Sequence, residues 1–162
     1  MYKRQVNDTF INYLKSGQII KKQTIKTISN AMDVSVPSNI ERISCLYRND
    51  VNEIGKKIIS WSFTDLQTRN MIKYVCDKYD YLIDPHTAVG MLGLGEYRLN
   101  SNSSKKCIVL STAHASKFSN DVEQIIKQQI EFPSQLKTVL NKDKHSIKLN
   151  SEFGSFKEYL LS

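Results

Sequence analysis

The sequence predicts an α/β chain that is rich in helix and carries a small, incomplete sheet. Helix signals recur along it: capping patterns, chain-breaking Gly and Pro, and apolar residues at helical spacing. Against them stands one convincing β-type run, Cys107-Ile108-Val109-Leu110. A lone strand cannot satisfy its own backbone groups. Either weak strands elsewhere complete the sheet, or its other strands lie on another part of a longer chain. The second is preferred, because Val6 enters a motif with nothing structured before it.

The elements follow in order. Asn7 or Asp8 is placed to cap a short helix that buries Phe10, Ile11 and Leu14 and stops at Gly17. Residues Thr24 to Val36 read as a loop with β-like residues. Pro37-Ser38 opens a second helix with Ile40, Ile43 and Tyr47 on one face. Thr64-Asp65-Leu66-Gln67 is a capping box, and the helix behind it buries Met71, Ile72, Val75, Cys76 and Tyr79. Asp84-Pro85 is a turn, since Pro donates no hydrogen bond and restrains the residue before it. His86 to Tyr97 is a helix of small residues suited to close packing.

Asn100 to Lys106 is a polar loop, and the Cys107–Leu110 strand follows. Ser111-Thr112-Ala113-His114 then puts small hydroxyl residues where the strand meets a loop, and ligands of open α/β sheets sit at such carboxyl ends. A helix from Asn120 to Ile130 buries Val122, Ile125, Ile126 and Ile130. Pro133 begins a short helical piece with Leu136 and Leu140. A last helix, Ser151 to Leu161, lines up Phe153, Phe156 and Leu160.

Composition narrows the function. With 162 residues, 40% hydrophobic and 24% charged, the chain suits one domain or a large piece of one. Its net charge of +7 comes from dispersed lysines, which reads as a solvated surface. No basic stripe interleaved with aromatics points to nucleic acid. Cys45, Cys76 and Cys107 give no disulfide framework, so a reducing, cytoplasmic setting is expected. His86, His114 and His145 lack metal-ligand spacing, and no metal is expected. No apolar run approaches a membrane span, and there is no signal-peptide core.

Four segments in order resemble the C-terminal part of the threonine synthase family, pyridoxal-phosphate (PLP) enzymes of the fold-type II group. Val6-Asn7-Asp8-Thr9 resembles its NxND segment. Ser29-Asn30-Ala31-Met32-Asp33-Val34-Ser35, with Pro37-Ser38-Asn39-Ile40-Glu41-Arg42, resembles its SxAMDxxxPSNxER segment. Asp84-Pro85-His86-Thr87-Ala88-Val89-Gly90 resembles (D/E)PHxAV, and Ser111 to Phe118 resembles TAHPAKF. The likeness runs from about Val6 to the C-terminus. Three departures stand out: Ala115-Ser116 replaces Pro-Ala, Gln5 replaces an Asn, and Met1 to Gln5 matches nothing and reads as a non-native scar. Residues 6–162 are thus expected to be the C-terminal part of such an enzyme, a fold-type II domain.

The resemblance implies an activity and a partial site. The family converts O-phosphohomoserine and water to threonine and phosphate with PLP, a carbon–oxygen lyase reaction of threonine biosynthesis. Its Schiff-base lysine and glycine-rich phosphate cup lie upstream of every segment found here, so no catalytic residue is assigned and the rest of the enzyme is the implied partner. Thr112 is implied as the hydroxyl partner of the pyridine nitrogen, with Ser111 the neighbouring candidate; otherwise both merely cap the strand end. Asp84 lines the ring side of the cofactor or holds a turn. Asn7 and Asp8 bind polar groups of the substrate or cap a helix. Lys117 reads as a packing or ion-pair residue; His114 could carry a proton, but ordering the loop is the preferred role. Asp33, Asn39, Glu41 and Arg42 read as structural, with a possible ion pair at Glu41 or Arg42. Two rivals remain: another fold-type II PLP lyase, and a non-catalytic basic binding module.

Overall fold

The computed structural model describes residues 7–101 and 104–162. The expectation for Met1 to Gln5 lies outside them. The chain divides into a unit ending at Ile130 and a second unit, Glu131–Ser162.

The first unit holds two apolar clusters. Helices α1 (Thr9–Ser16), α2 (Asn39–Leu46) and α3 (Val51–Lys57) surround Tyr13, Ile40 and Ile54. Phe10, Leu14 and Ile43 pack around that centre. Tyr13, not Ile11, is the deepest side chain of α1, and its hydroxyl lies 2.7 Å from Ser44 Oγ. Gly17 closes α1 in the left-handed conformation (φ 70°), which Gly adopts without steric cost. The expected side-chain cap does not form: Asp8 precedes α1 without capping it and pairs with Lys22 instead. Helix α3 escapes the periodicity reading because it is short. Its signal is a polar one, Asp50 accepting from the N–H groups of Asn52 and Glu53.

The second cluster is built by α4 (Asp65–Tyr79), α5 (Pro85–Ser101) and α6 (Ser119–Ile126), with a 3-10 turn at Ala115–Phe118. Ile72, Val75, Ile83, Ala88, Phe118, Val122 and Ile130 form its centre. The capping box of α4 is present as expected: Thr64 Oγ1 accepts from Gln67 N–H, and Gln67 Oε1 accepts from Thr64 N–H. Arg69 Nη2 reaches Asp121 Oδ1 at 3.0 Å and ties α4 to α6. Tyr79, expected in the core, is exposed at the last turn of α4, where its ring meets Tyr74 edge-on at 6.1 Å. Helix α6 is shorter than expected. It ends at Lys127, in the left-handed region (φ 57°), and Ile130 reaches the core from the segment beyond it.

The expected sheet is absent: among the described residues no strand forms. Thr24 to Val36 contains only a 3-10 turn at Asn30–Met32. Cys107–Leu110 keeps the alternation of a strand, with Cys107 and Val109 half-buried and Ile108 and Leu110 exposed at 88% and 77%. It forms no ladder because no neighbouring segment supplies one. Gly90 of α5 lets this segment approach, since a Cβ there would stand 3.0 Å from Val109 Cγ1.

In the second unit, α7 (Ser134–Lys137) and α8 (Phe153–Leu161) bury no residue of their own. Phe153 and Leu161 are each 77% exposed, so the expected apolar stripe of α8 is present but uncovered.

Candidate functional site

The site grows from the turn that starts α5. Asp84 precedes Pro85 at the first helical position, a favoured pairing because Pro has no N–H to satisfy there. The Asp84 carboxylate caps the helix by accepting from His86 N–H at 2.8 Å. Its side chain is fully enclosed, 0% exposed, so each bond it makes is internal. Oδ1 lies 3.0 Å from His86 Nδ1. A carboxylate only accepts, so Nδ1 carries the hydrogen and His86 is held in one tautomer by its network. His86 Nε2 is enclosed without a hydrogen-bond partner, and the ring packs 5.1 Å from that of Phe118. Oδ2 takes the Thr87 hydroxyl.

Thr87 carries the cluster to the strand-end loop, because its Oγ1 lies 3.2 Å from Ser111 Oγ. Thr87 and Ser111 form the polar floor of a cleft of about 360 Å³, walled by Val75, Tyr79, Tyr81, Ile83, Met91 and Val109. Thr112, next in the chain, is exposed and makes no hydrogen bond among the described residues. Ala115 and Phe118, buried in the α4–α6 core, fix the loop from the other side. His114 orders the same loop: its Nδ1 accepts from Ser116 N–H at 3.2 Å and lies 2.8 Å from Ser116 Oγ. Lys117 is exposed, with Nζ 5.9 Å from the centre of the Phe118 ring.

Asn7 and Asp8 sit elsewhere. Asn7 donates to Ile25 C=O at 2.8 Å and to Asp33 Oδ1 at 3.0 Å, and accepts from Ile25 N–H at 3.1 Å. Asp33 in turn accepts from Thr27 N–H and the Thr27 hydroxyl. Asp8 Oδ1 meets Lys22 Nζ at 2.8 Å. Burial raises the Asp8 carboxyl, but hydrogen bonds from Lys22 and Asn12, with the charge of Lys22, outweigh it and hold its pKa below the ordinary value. Asp8 also borders a small polar cleft with Asn12, Lys15 and Trp61, while Trp61 lines a separate apolar groove with Gly90, Gly93 and Val109. Asn7 and Asp8 thus lie apart from the cleft that Thr87 and Ser111 line. Glu41 and Arg42 are exposed and form no ion pair among the described residues.

Sequence reasoning missed Thr87 as the link between Asp84 and Ser111. Its signal was local: in Asp84-Pro85-His86-Thr87 a cap residue is followed three positions on by a hydroxyl. Among the described residues no group of His, Cys, Asp and Glu has the makings of a metal site, and no helix is long and apolar enough to cross a membrane.

The comparisons with known proteins agree with the four motifs. A family model described as threonine synthase, C-terminal, matches residues 87–160. Threonine synthase of Buchnera aphidicola subsp. Schizaphis graminum is 37% identical over 96% of this chain and 35% of its own length. The crystal structure of threonine synthase from Escherichia coli superposes with a TM-score of 0.75 at 30% identity, covering 97% of this chain and 36% of that one. A PLP-bound threonine synthase from Brucella melitensis gives 0.65 at 25% identity, covering 95% and 38%. The chain thus spans about a third of the length of the relatives it matches.

Proposed function

We propose that this chain, which corresponds in sequence and fold to the C-terminal portion of threonine synthases, forms one wall of the PLP pocket of such an enzyme. The full-length parent would convert O-phosphohomoserine and water to threonine and phosphate in the cytoplasm. The observation that carries the reading is a likeness to one enzyme family that extends over 96% of the chain. The donor set fits the cofactor. A pyridine ring needs apolar faces and one polar partner for its nitrogen: the cleft supplies apolar walls, and Thr112, next in the chain after its lining residue Ser111, has an exposed hydroxyl with no hydrogen bond among the described residues. PLP, when bound, supplies the electron sink for the reaction.

The chain's own residues do the rest by positioning. Thr112 presents its hydroxyl to the ring nitrogen, and Ser111 holds the loop beneath it. Asp84, whose side chain is fully enclosed, acts through Thr87 and His86. Asn7 and Asp8 tie the Lys22–Asp33 loop to the start of α1, and Asp8 also borders a small polar cleft.

The remainder of the parent is the partner. The exposure of Ile108 and Leu110 supports a finer reading of the fold, in which strands from that remainder pair with Cys107–Leu110 and complete an α/β sheet. The full-length protein is expected to release phosphate and threonine from O-phosphohomoserine. The isolated 162-residue chain, reduced with borohydride in the presence of PLP, is expected to retain no stoichiometric covalent cofactor. A full-length protein that releases neither product, or a stoichiometric label on the isolated chain, overturns the reading.

A further inference from the structure

The ring-side wall contains a hydrogen-bond chain that starts at the fully enclosed Asp84 carboxylate, passes through Thr87, 5% exposed, and ends at Ser111 on the strand-end loop. Counting hydrogens fixes its direction. A hydroxyl has one hydrogen and a carboxylate only accepts, so Thr87 gives its hydrogen to Asp84. Thr87 Oγ1 then accepts from Ser111, whose hydrogen is committed inward. Ser111 and Val109, two residues apart, both face the cleft beside α5. Leu110, Ser111 and Thr112 are all exposed, but of the three only Ser111 lines this cleft, and Thr112 follows it directly in the chain.

We propose that Thr87 is a positioning residue for the ring pocket: backed by Asp84, it anchors Ser111 and thereby sets the direction of the Thr112 hydroxyl. The inference rests on the reading of Thr112 as the ring-nitrogen partner. It gives the buried carboxylate a role at a distance, which neither helix capping nor direct contact supplies.

The test uses the full-length holoenzyme with Thr87→Val, Thr87→Ser, Ser111→Ala and the Thr87→Val/Ser111→Ala pair. The readouts are PLP retention and the absorption and fluorescence of the bound cofactor, followed by turnover. Thr87→Val removes the hydroxyl at nearly constant shape. It and Ser111→Ala are each expected to weaken PLP retention about tenfold, the size of one ordinary hydrogen bond, and to shift the cofactor spectrum alike. The double variant is expected to be no worse than either single one, and Thr87→Ser to behave as wild type. Additive losses, or variants with wild-type retention and spectrum, overturn the proposal. Should Thr87→Val fail to fold, Ser111→Ala, at an exposed position, decides alone: a shifted spectrum supports the anchor and an unchanged one refutes it. If wild-type holoenzyme binds no PLP, the functional reading falls and this inference with it. If wild type binds and all variants match it, only the anchor falls.

Discussion

Two Asp-centred clusters of the first unit use similar residues to opposite ends. At the start of α1, the Asn7 amide bonds to Ile25 and Asp33, and Asp8 Oδ1 bonds to Lys22. At the start of α5, Asp84, His86, Thr87 and Ser111 also bond to one another, but the chain of bonds ends at a loop whose next residue, Thr112, is free and exposed. Residue type does not separate the two. What separates them is whether the network closes on itself or delivers an unused group to the surface.

The sharpest way to break the comparison is to remove the packing that supports each side. Ile54 and Ile72 are both 0% exposed, one at the centre of each apolar cluster. Ile54→Ala and Ile72→Ala are each expected to cost about 2–5 kcal/mol in chemical denaturation, through lost transfer energy and the cavity left behind. If the two clusters are independent supports, the double variant loses the sum of the single costs. A loss far from additive would show one shared core, and the contrast between the clusters would weaken.

The next effect separates a closed network from an open one directly. Asn7→Ala removes bonds to the exposed Ile25 N–H and C=O and to the part-buried Asp33, and is expected to cost about 0.5–1.5 kcal/mol of stability. Thr112→Val removes a hydroxyl with no bond to lose, and is expected to change stability by less than about 0.5 kcal/mol. In the full-length enzyme the order reverses, because Thr112→Val is expected to weaken PLP retention. Equal stability costs for the two variants would mean that Thr112 is tied into the fold after all.

How far the sequence discloses this follows from the range of each signal. Helices α4 and α5 are legible because capping residues, apolar spacing and a Pro start lie within a few residues of one another. Helix α3 hides in a stretch too short for periodicity, although Asp50 announces it. The strand-like alternation of Cys107–Leu110 is also legible, yet a strand is a property of two segments, and among the described residues no second segment pairs with it. In the site, Asp84, Ser111 and Thr112 are visible as residue types in motifs. Thr87 is not, because its contact with Ser111 spans 24 positions and depends on how α5 meets the loop. The same limit applies to Asn7, whose pairing with Ile25 spans 18 positions.

A smaller effect concerns pH. The pKa of Asp8 is lowered in the folded chain, so its unfolded form binds a proton more readily than its folded form. Its contribution to stability is therefore present above the unfolded carboxylate value of about 3.9 and fades as pH falls through the lower folded value. Denaturation between neutral pH and pH about 3 is expected to show this loss in wild type and less of it in Lys22→Met, where the partner charge is gone. Both the drop and its dependence on Lys22 would shrink at high salt, since the Lys22 side chain is 43% exposed. Identical acid profiles would show that Lys22 does not hold Asp8 in solution.

The smallest effect on this chain by itself lies at the open edge. Ile108 is 88% exposed and touches little that its removal would disturb. Ile108→Lys is therefore expected to leave the stability of the 162-residue chain within about 0.5 kcal/mol and to raise its solubility, since an edge lysine discourages strand pairing between molecules. If strands of a full-length parent pair with Cys107–Leu110 as proposed, the same lysine is buried there without a partner, which is costly. The expected signature is thus a split: a neutral variant in the isolated chain and a poorly folded one in the parent. A variant that is neutral in both would mean that no strand covers this face, and the open cluster would be open in the whole enzyme as well.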